Sequence, residues 1–187
     1  LVPWLILVAG VHTLLIYKHS GHSLRSTYLF LILSFIFVLY STFLTRSGIL
    51  GEASVHAFTD LGMNGQLYLL LYVFTWLPAF LSATTFNQKL VTGITGIILL
   101  LASNYINVPA IAFLTILIGL GFLIYQIQKQ VPTITKEESG NSREFWMFIG
   151  ALVLFLAAIF IIAKTSVPVY NKIFGTSIAQ PEDVEFS

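Results

Sequence analysis

The chain has 187 residues, of which 57% are hydrophobic and 9% charged, and its formal net charge is +1. A soluble domain carries about 25% charged residues, so this composition belongs in a membrane, and no basic block calls for a nucleic-acid partner. Zero cysteines exclude a disulfide framework, a thiolate metal site and a redox dithiol, leaving any metal or cofactor chemistry to histidine or carboxylate.

Six apolar stretches follow one another, over residues 1–17, 24–44, 66–85, 90–103, 108–127 and 144–163. Most reach the ~20 residues that a helix needs to cross a ~30 Å hydrocarbon core. The runs are continuous rather than alternating, against the pattern of membrane strands. The expected fold class is therefore all-α, a polytopic transmembrane helical bundle. The fourth stretch is short and interrupted by Gly93 and Gly96. The first begins at Leu1, with no charged n-region and no small-residue cleavage site before it. It reads as a truncated span of a fragment, not as a signal peptide. Residues 1–163 form the expected transmembrane domain, with an outer-face loop at about 45–65. Residues 164–187, acidic at Glu182, Asp183 and Glu185, read as the start of a periplasmic segment.

The loops set orientation. One side carries Lys18, Arg25, Lys89, Lys129, Lys136 and Arg143, the other Arg46, Lys164 and Lys172. Cytoplasmic loops concentrate Lys and Arg, so His56 and the tail are expected outside.

His12 lies inside the first span, roughly 16 Å deep at 1.5 Å per residue. An imidazole at that depth needs a partner. An iron ligand with its second ring nitrogen hydrogen-bonded satisfies both ends; an interhelical bond to Ser or Thr is the plainer alternative. His56 stands in the outer loop among Val55, Ala57 and Phe58, either as a solvated histidine or as an interfacial ligand for a flat apolar molecule. Arg46, before Ser47 and Gly48, reads as a snorkelling cation at a helix end or as the partner of a carboxylate or porphyrin propionate. Trp4 is an interfacial belt residue or the floor of an aromatic shelf. His19 and His22 read as solvated loop residues. Apart from Glu144 at the start of a helix, no carboxylate falls inside a span, which disfavours an ion-coupled transporter.

Taken in order, Pro3-Trp4, His12-Thr13-Leu14, Thr42-Phe43-Leu44-Thr45-Arg46-Ser47-Gly48-Ile49-Leu50 and Ser54-Val55-His56-Ala57-Phe58 resemble the CcmF heme lyase family of cytochrome c maturation. Ser142-Arg143-Glu144 and the spacing from Pro168 to Lys172 extend the likeness, which is strongest over residues 1–60. Gly51-Glu52-Ala53 looks like a small insertion, and residues 87–131 hold two apolar segments where a simpler passage is expected.

The resemblance implies that His12 is an axial ligand of a stably bound heme b. It implies that His56 is the second of two periplasmic histidines that hold a transiently bound heme substrate. Arg46 and Trp4 would complete the cofactor-binding set. The tryptophan-rich motif and the other ligand of each heme would lie outside this chain. The implied activity is covalent attachment of heme to apocytochrome c at the periplasmic face of the bacterial inner membrane, as part of a heme lyase complex. The implied partners are heme, apocytochrome c, other maturation subunits and the lipid membrane, with no nucleic acid. Two other classes compete: a heme or small-molecule permease, which would release its cargo unmodified, and a structural membrane subunit without heme absorbance.

Overall fold

The computed structural model describes residues 1–50, 64–106, 108–134 and 141–178. Those residues form seven helices: α1 (Val2–Ser20), α2 (Leu24–Arg46), α3 (Asn64–Ser82), α4 (Phe86–Ile106), α5 (Pro109–Gln130), α6 (Arg143–Thr165) and α7 (Val167–Phe174). The first six are long and apolar enough to cross a membrane. This is the all-helical, multi-pass architecture expected from the apolar runs.

Local chemistry sets the helix ends. Pro3, Pro109 and Pro168 start α1, α5 and α7 in their first turns, where a missing N–H costs nothing. α1 stops at Gly21, whose φ of 79° lets its N–H donate to the Tyr17 carbonyl, the left-handed ending glycine favours. Ser23 also has positive φ, and α2 begins at the next residue, so the chain reverses at once and α1 and α2 lie antiparallel. At the head of α6 the Ser142 hydroxyl accepts from the Phe145 N–H at 3.0 Å, an ordinary N-cap.

α4 is longer than its apolar run. It spans 21 residues because polar groups at both ends continue the helix: Thr85 Oγ1 accepts from the Gln88 N–H, and the Asn104 amide donates back to the Leu100 carbonyl. Its two glycines do not break it. They are the places where Phe80 and Trp76 of α3 approach most closely.

The helices sort into two triads. α1 packs against α2 and α6, α3 packs against α5 and α4, and α2 joins the two by touching α3 and α5. Among the described residues the backbones of α5 and α6 do not approach each other; α7 bridges them at one end. Phe30 and Phe155 meet between α2 and α6 with ring centroids 5.1 Å apart.

The buried contacts use small and hydroxylated residues. Ala9, Ala79, Ala151 and Ala158 are fully buried, as are Thr13, Thr75 and Thr115. Those hydroxyls donate to carbonyls of their own helices, so they enter the interior with their hydrogens satisfied. Small residues let membrane helices approach closely where burial gives little net drive. The outward surface is studded with exposed Leu, Ile, Val and Phe, as a lipid-facing surface requires.

The alternating helices put Lys18, Arg25, Lys89, Lys129 and Arg143 at one end of the bundle. Arg46, Lys164 and Lys172 lie at the other, the end that α7 covers. At the first end the Arg25 Nε–H donates to the Val131 carbonyl at 2.8 Å, and the Gln130 amide reaches Gln88 at 3.0 Å. These bonds tie the α1–α2 turn and the α3–α4 turn to the end of α5.

Candidate functional site

His12 is half-buried on the flank of α1. Its depth is ten residues below Val2, roughly 15 Å along the axis. Its Nδ1 lies 2.8 Å from the Val8 carbonyl oxygen. A carbonyl can only accept, so Nδ1 carries the hydrogen, and in the neutral ring Nε2 keeps a free lone pair. The bond holds the imidazole within its own helix and not, as the plainer sequence reading has it, to a hydroxyl across an interface. Neighbouring Thr13 is occupied with the Gly10 carbonyl. One imidazole nitrogen satisfied by a carbonyl and the other available is the donor arrangement that a metal-bound histidine uses. The residue present would thus fit as one protein ligand of a heme iron.

Trp4 is exposed on the same helix, 61% accessible, eight residues from His12 and nearer the α7 end. Eight residues are roughly 12 Å of rise and 80° of turn, so the two rings do not stack on one another. Arg46 is the last residue of α2, exposed at the α7 end, at a different depth from His12. Ser47 behind it is buried, its N–H donating to the Phe43 carbonyl and its hydroxyl accepting from Ile49 N–H. His56 lies outside the described residues. His19 is exposed in the last turn of α1, and His22 sits in the turn that follows. No group of three His, Asp or Glu side chains that could hold a metal ion occurs among the described residues.

Two adjoining cavities occupy the α7 end. The smaller, about 280 Å³, is lined in part by Tyr40, Asn64, Tyr68, Asn104 and Lys172. Ile49 and Gly65 line it as well, so the chain leaves for residues 51–63, and returns from them, at this cavity. The larger, about 510 Å³, is walled by Leu33, Phe37, Leu117, Leu120, Ile162 and Phe174. Tyr40, Leu71, Phe113 and Val169 face both, and the Tyr40 hydroxyl lies 2.6 Å from that of Ser166. That bond fastens α2 to the start of α7 where the cavities meet.

Beneath the smaller cavity, the Tyr68 hydroxyl lies 2.9 Å from those of both Ser103 and Thr115. Ser103 and Thr115 give their hydrogens to the Leu100 and Ala112 carbonyls, so Tyr68 is the donor to one of them. One phenol thereby connects α3, α4 and α5. Below it, Tyr72 donates to the Gly96 carbonyl, and Trp76 lies between Gly96 and Gly119 with its Nε1–H directed at the Thr115 carbonyl at 3.3 Å. Sequence reasoning passed over these tyrosines. Their only signal was a polar tip inside an apolar run, at four-residue spacing over Tyr68, Tyr72 and Trp76.

A 72-residue stretch of the chain is 43% identical to the cytochrome c-type biogenesis protein CcmF of Haemophilus influenzae. It is 40% identical over the same length to the cytochrome c-type biogenesis protein NrfE of that organism. Each match covers 38% of this chain and 11% of the relative, so the chain corresponds to a small part of those proteins. No family model matches, and no solved structure matches. The resemblance to cytochrome c maturation proteins is borne out by these relatives: a stretch of this chain is similar to the cytochrome c-type biogenesis proteins CcmF and NrfE.

Proposed function

We propose that this chain is part of a multi-pass component of cytochrome c maturation in the bacterial inner membrane, acting as a heme lyase subunit. The observation that carries the reading is the 40–43% identity to two proteins named for cytochrome c biogenesis. In this reading the α7 end faces the periplasm, in keeping with its smaller share of Lys and Arg.

His12 would offer Nε2 to a heme b within the bilayer, and its Nδ1–H bond to Val8 would hold the ring plane and raise the basicity of the donor nitrogen. Such a heme would supply one-electron chemistry. At the periplasmic end the heme being processed is a substrate. His56 would hold its iron, Arg46 its propionates, and Trp4 would extend an aromatic surface beside it. With no cysteine of its own, the chain offers no competing thiol, and the apocytochrome supplies both sulfurs of the new bonds. Ile49 and Gly65, on either side of the segment that bears His56, both line the smaller cavity.

The test is complementation with the full-length protein. His56→Ala should abolish covalent heme on apocytochrome c while the purified protein keeps its b-type Soret band; His12→Ala should lose that band. Normal cytochrome assembly with His56→Ala would refute the reading, and so would export of unmodified heme as the only activity.

A further inference from the structure

We infer that the larger cavity is a binding slot for one acyl chain of an anionic phospholipid, with the lipid phosphate beside Lys172. The slot has a floor from α2 (Leu33, Phe37), walls from α5 (Leu117, Leu120) and α6 (Ile162), and a roof from α7. The backbones of α5 and α6 do not meet, and the slot lies between α2, α5, α6 and α7. Phe113 and Leu117 of α5 and Tyr170 and Phe174 of α7 line it and are exposed.

An apolar cleft of about 510 Å³ gives water few partners, and water does not fill such a space stably. A hydrocarbon does. The occupant is chain-like on grounds of size: a spanning helix about 10 Å across and 30 Å long displaces roughly 2,400 Å³, several times this volume.

Charge selects the head group. Among the described residues the charged side chains at the α7 end are Arg46, Lys164 and Lys172, all basic. Lys172 lines the adjoining cavity, is exposed, and has no ion-pair or hydrogen-bond partner among the described residues. Lys164 rests over the Phe160 ring, 5.8 Å from its centroid. Lys172 stands in the adjoining cavity next to Ile173, which lines both, and an ammonium beside an apolar slot is complementary to a lipid phosphate at the membrane surface. α7 itself, with Val169 buried and Lys172 outward, has the two-sided character of an interfacial helix.

The test uses the full chain in phosphatidylcholine vesicles doped with phosphatidylglycerol that carries a diazirine in its acyl chain. After photolysis, label should concentrate on Leu117, Leu120 and Ile162. Unlabelled phosphatidylglycerol should displace it, and the same amount of added phosphatidylcholine should not. Leu117→Trp, or Ala163→Phe from the opposite wall should the first variant fail to insert, should reduce labelling of the slot to background. Lys172→Glu should remove the preference for phosphatidylglycerol while a phosphatidylcholine probe still labels the slot. Label spread equally over Ile97 and Leu101 of α4, or unchanged by both filling variants, would overturn the site. Equal competition by the two lipids would overturn the anionic head group.

Discussion

Trp76 offers the sharpest quantitative test of the packing. A methyl group at Gly119 would stand 2.7 Å from Trp76 Nε1 and 3.0 Å from Cε2, closer than side-chain carbons approach in practice. The indole cannot retreat, because on its far side a methyl at Gly96 would already be 3.0 Å from Cε3. Tyr72 and Phe122 pack against it with centroids 5.8 and 5.5 Å away. Overpacking a closed site costs about 1–3 kcal/mol, and displacing Nε1–H from the Thr115 carbonyl adds to it. Replacing glycine in a helix returns about 0.5–1 kcal/mol. Gly119→Ala should therefore destabilise the protein by about 2 kcal/mol, lowering the unfolding midpoint by about 4–8 °C for a chain of this size. Gly121→Ala and Gly150→Ala, where a methyl meets nothing within 4 Å, should be neutral or slightly stabilising. Tryptophan fluorescence during thermal unfolding in a fixed detergent reads all three. Trp76→Phe should recover part of the loss in the Gly119→Ala background and not alone, a coupling that contact predicts. Equal midpoints for Gly119→Ala and Gly121→Ala would refute the clamped arrangement.

Tyr68→Phe removes the hydroxyl shared with Ser103 and Thr115 and should cost about 1 kcal/mol, read as a shift of the same midpoint. Tyr40→Phe should cost a similar amount by freeing α7 from α2, about 1 kcal/mol, and should speed proteolysis after Lys172; an unchanged cleavage rate would count against that tether. Arg46→Lys keeps the charge but loses the fork that pairs with carboxylates, so cytochrome c assembly should fall, and imidazole added to the medium should not restore it. A cysteine at Thr176 should react with an impermeant maleimide from the periplasm and one at Glu138 should not, and the reverse pattern would invert the orientation.

Apolar length made the six crossings legible, since a continuous run of that size has few other homes. What the runs concealed was where each helix stops. α4 reached outward through Gln88 and Asn104 because side chains that hydrogen-bond to the backbone extend a helix without adding hydropathy. Pairing was hidden as well, because apolar residues cover α1 and α2 on nearly every side and leave no stripe to mark a neighbour. The triads are set by steric detail instead, such as Gly10 against Phe30 and Leu31, which emerges only when two helices meet. His12 was legible as an oddity. Its tautomer was not, because that depends on which carbonyl the rotamer reaches. Arg46 and Trp4 are placed at the end expected of them, while His56 keeps its standing from the sequence alone.

The division into triads also orders events during synthesis. α3, α4 and α5 are contiguous in the chain, so their mutual contacts can form as soon as Gln130 has left the ribosome. α1 and α2 complete their own group only with α6, which begins at Arg143, almost a hundred residues after α2 ends. At about 5–20 residues per second, the flank of α1 that α6 covers waits on the order of 5–20 s in the bilayer. During that interval the face of α1 that α6 later covers is open to any other helix nearby, while Gly10 is already closed by Phe30 and Leu31 of α2. A factor that shields nascent spans would therefore find its most exposed client in the first hairpin, and the insertion of α6 would be the step that releases it.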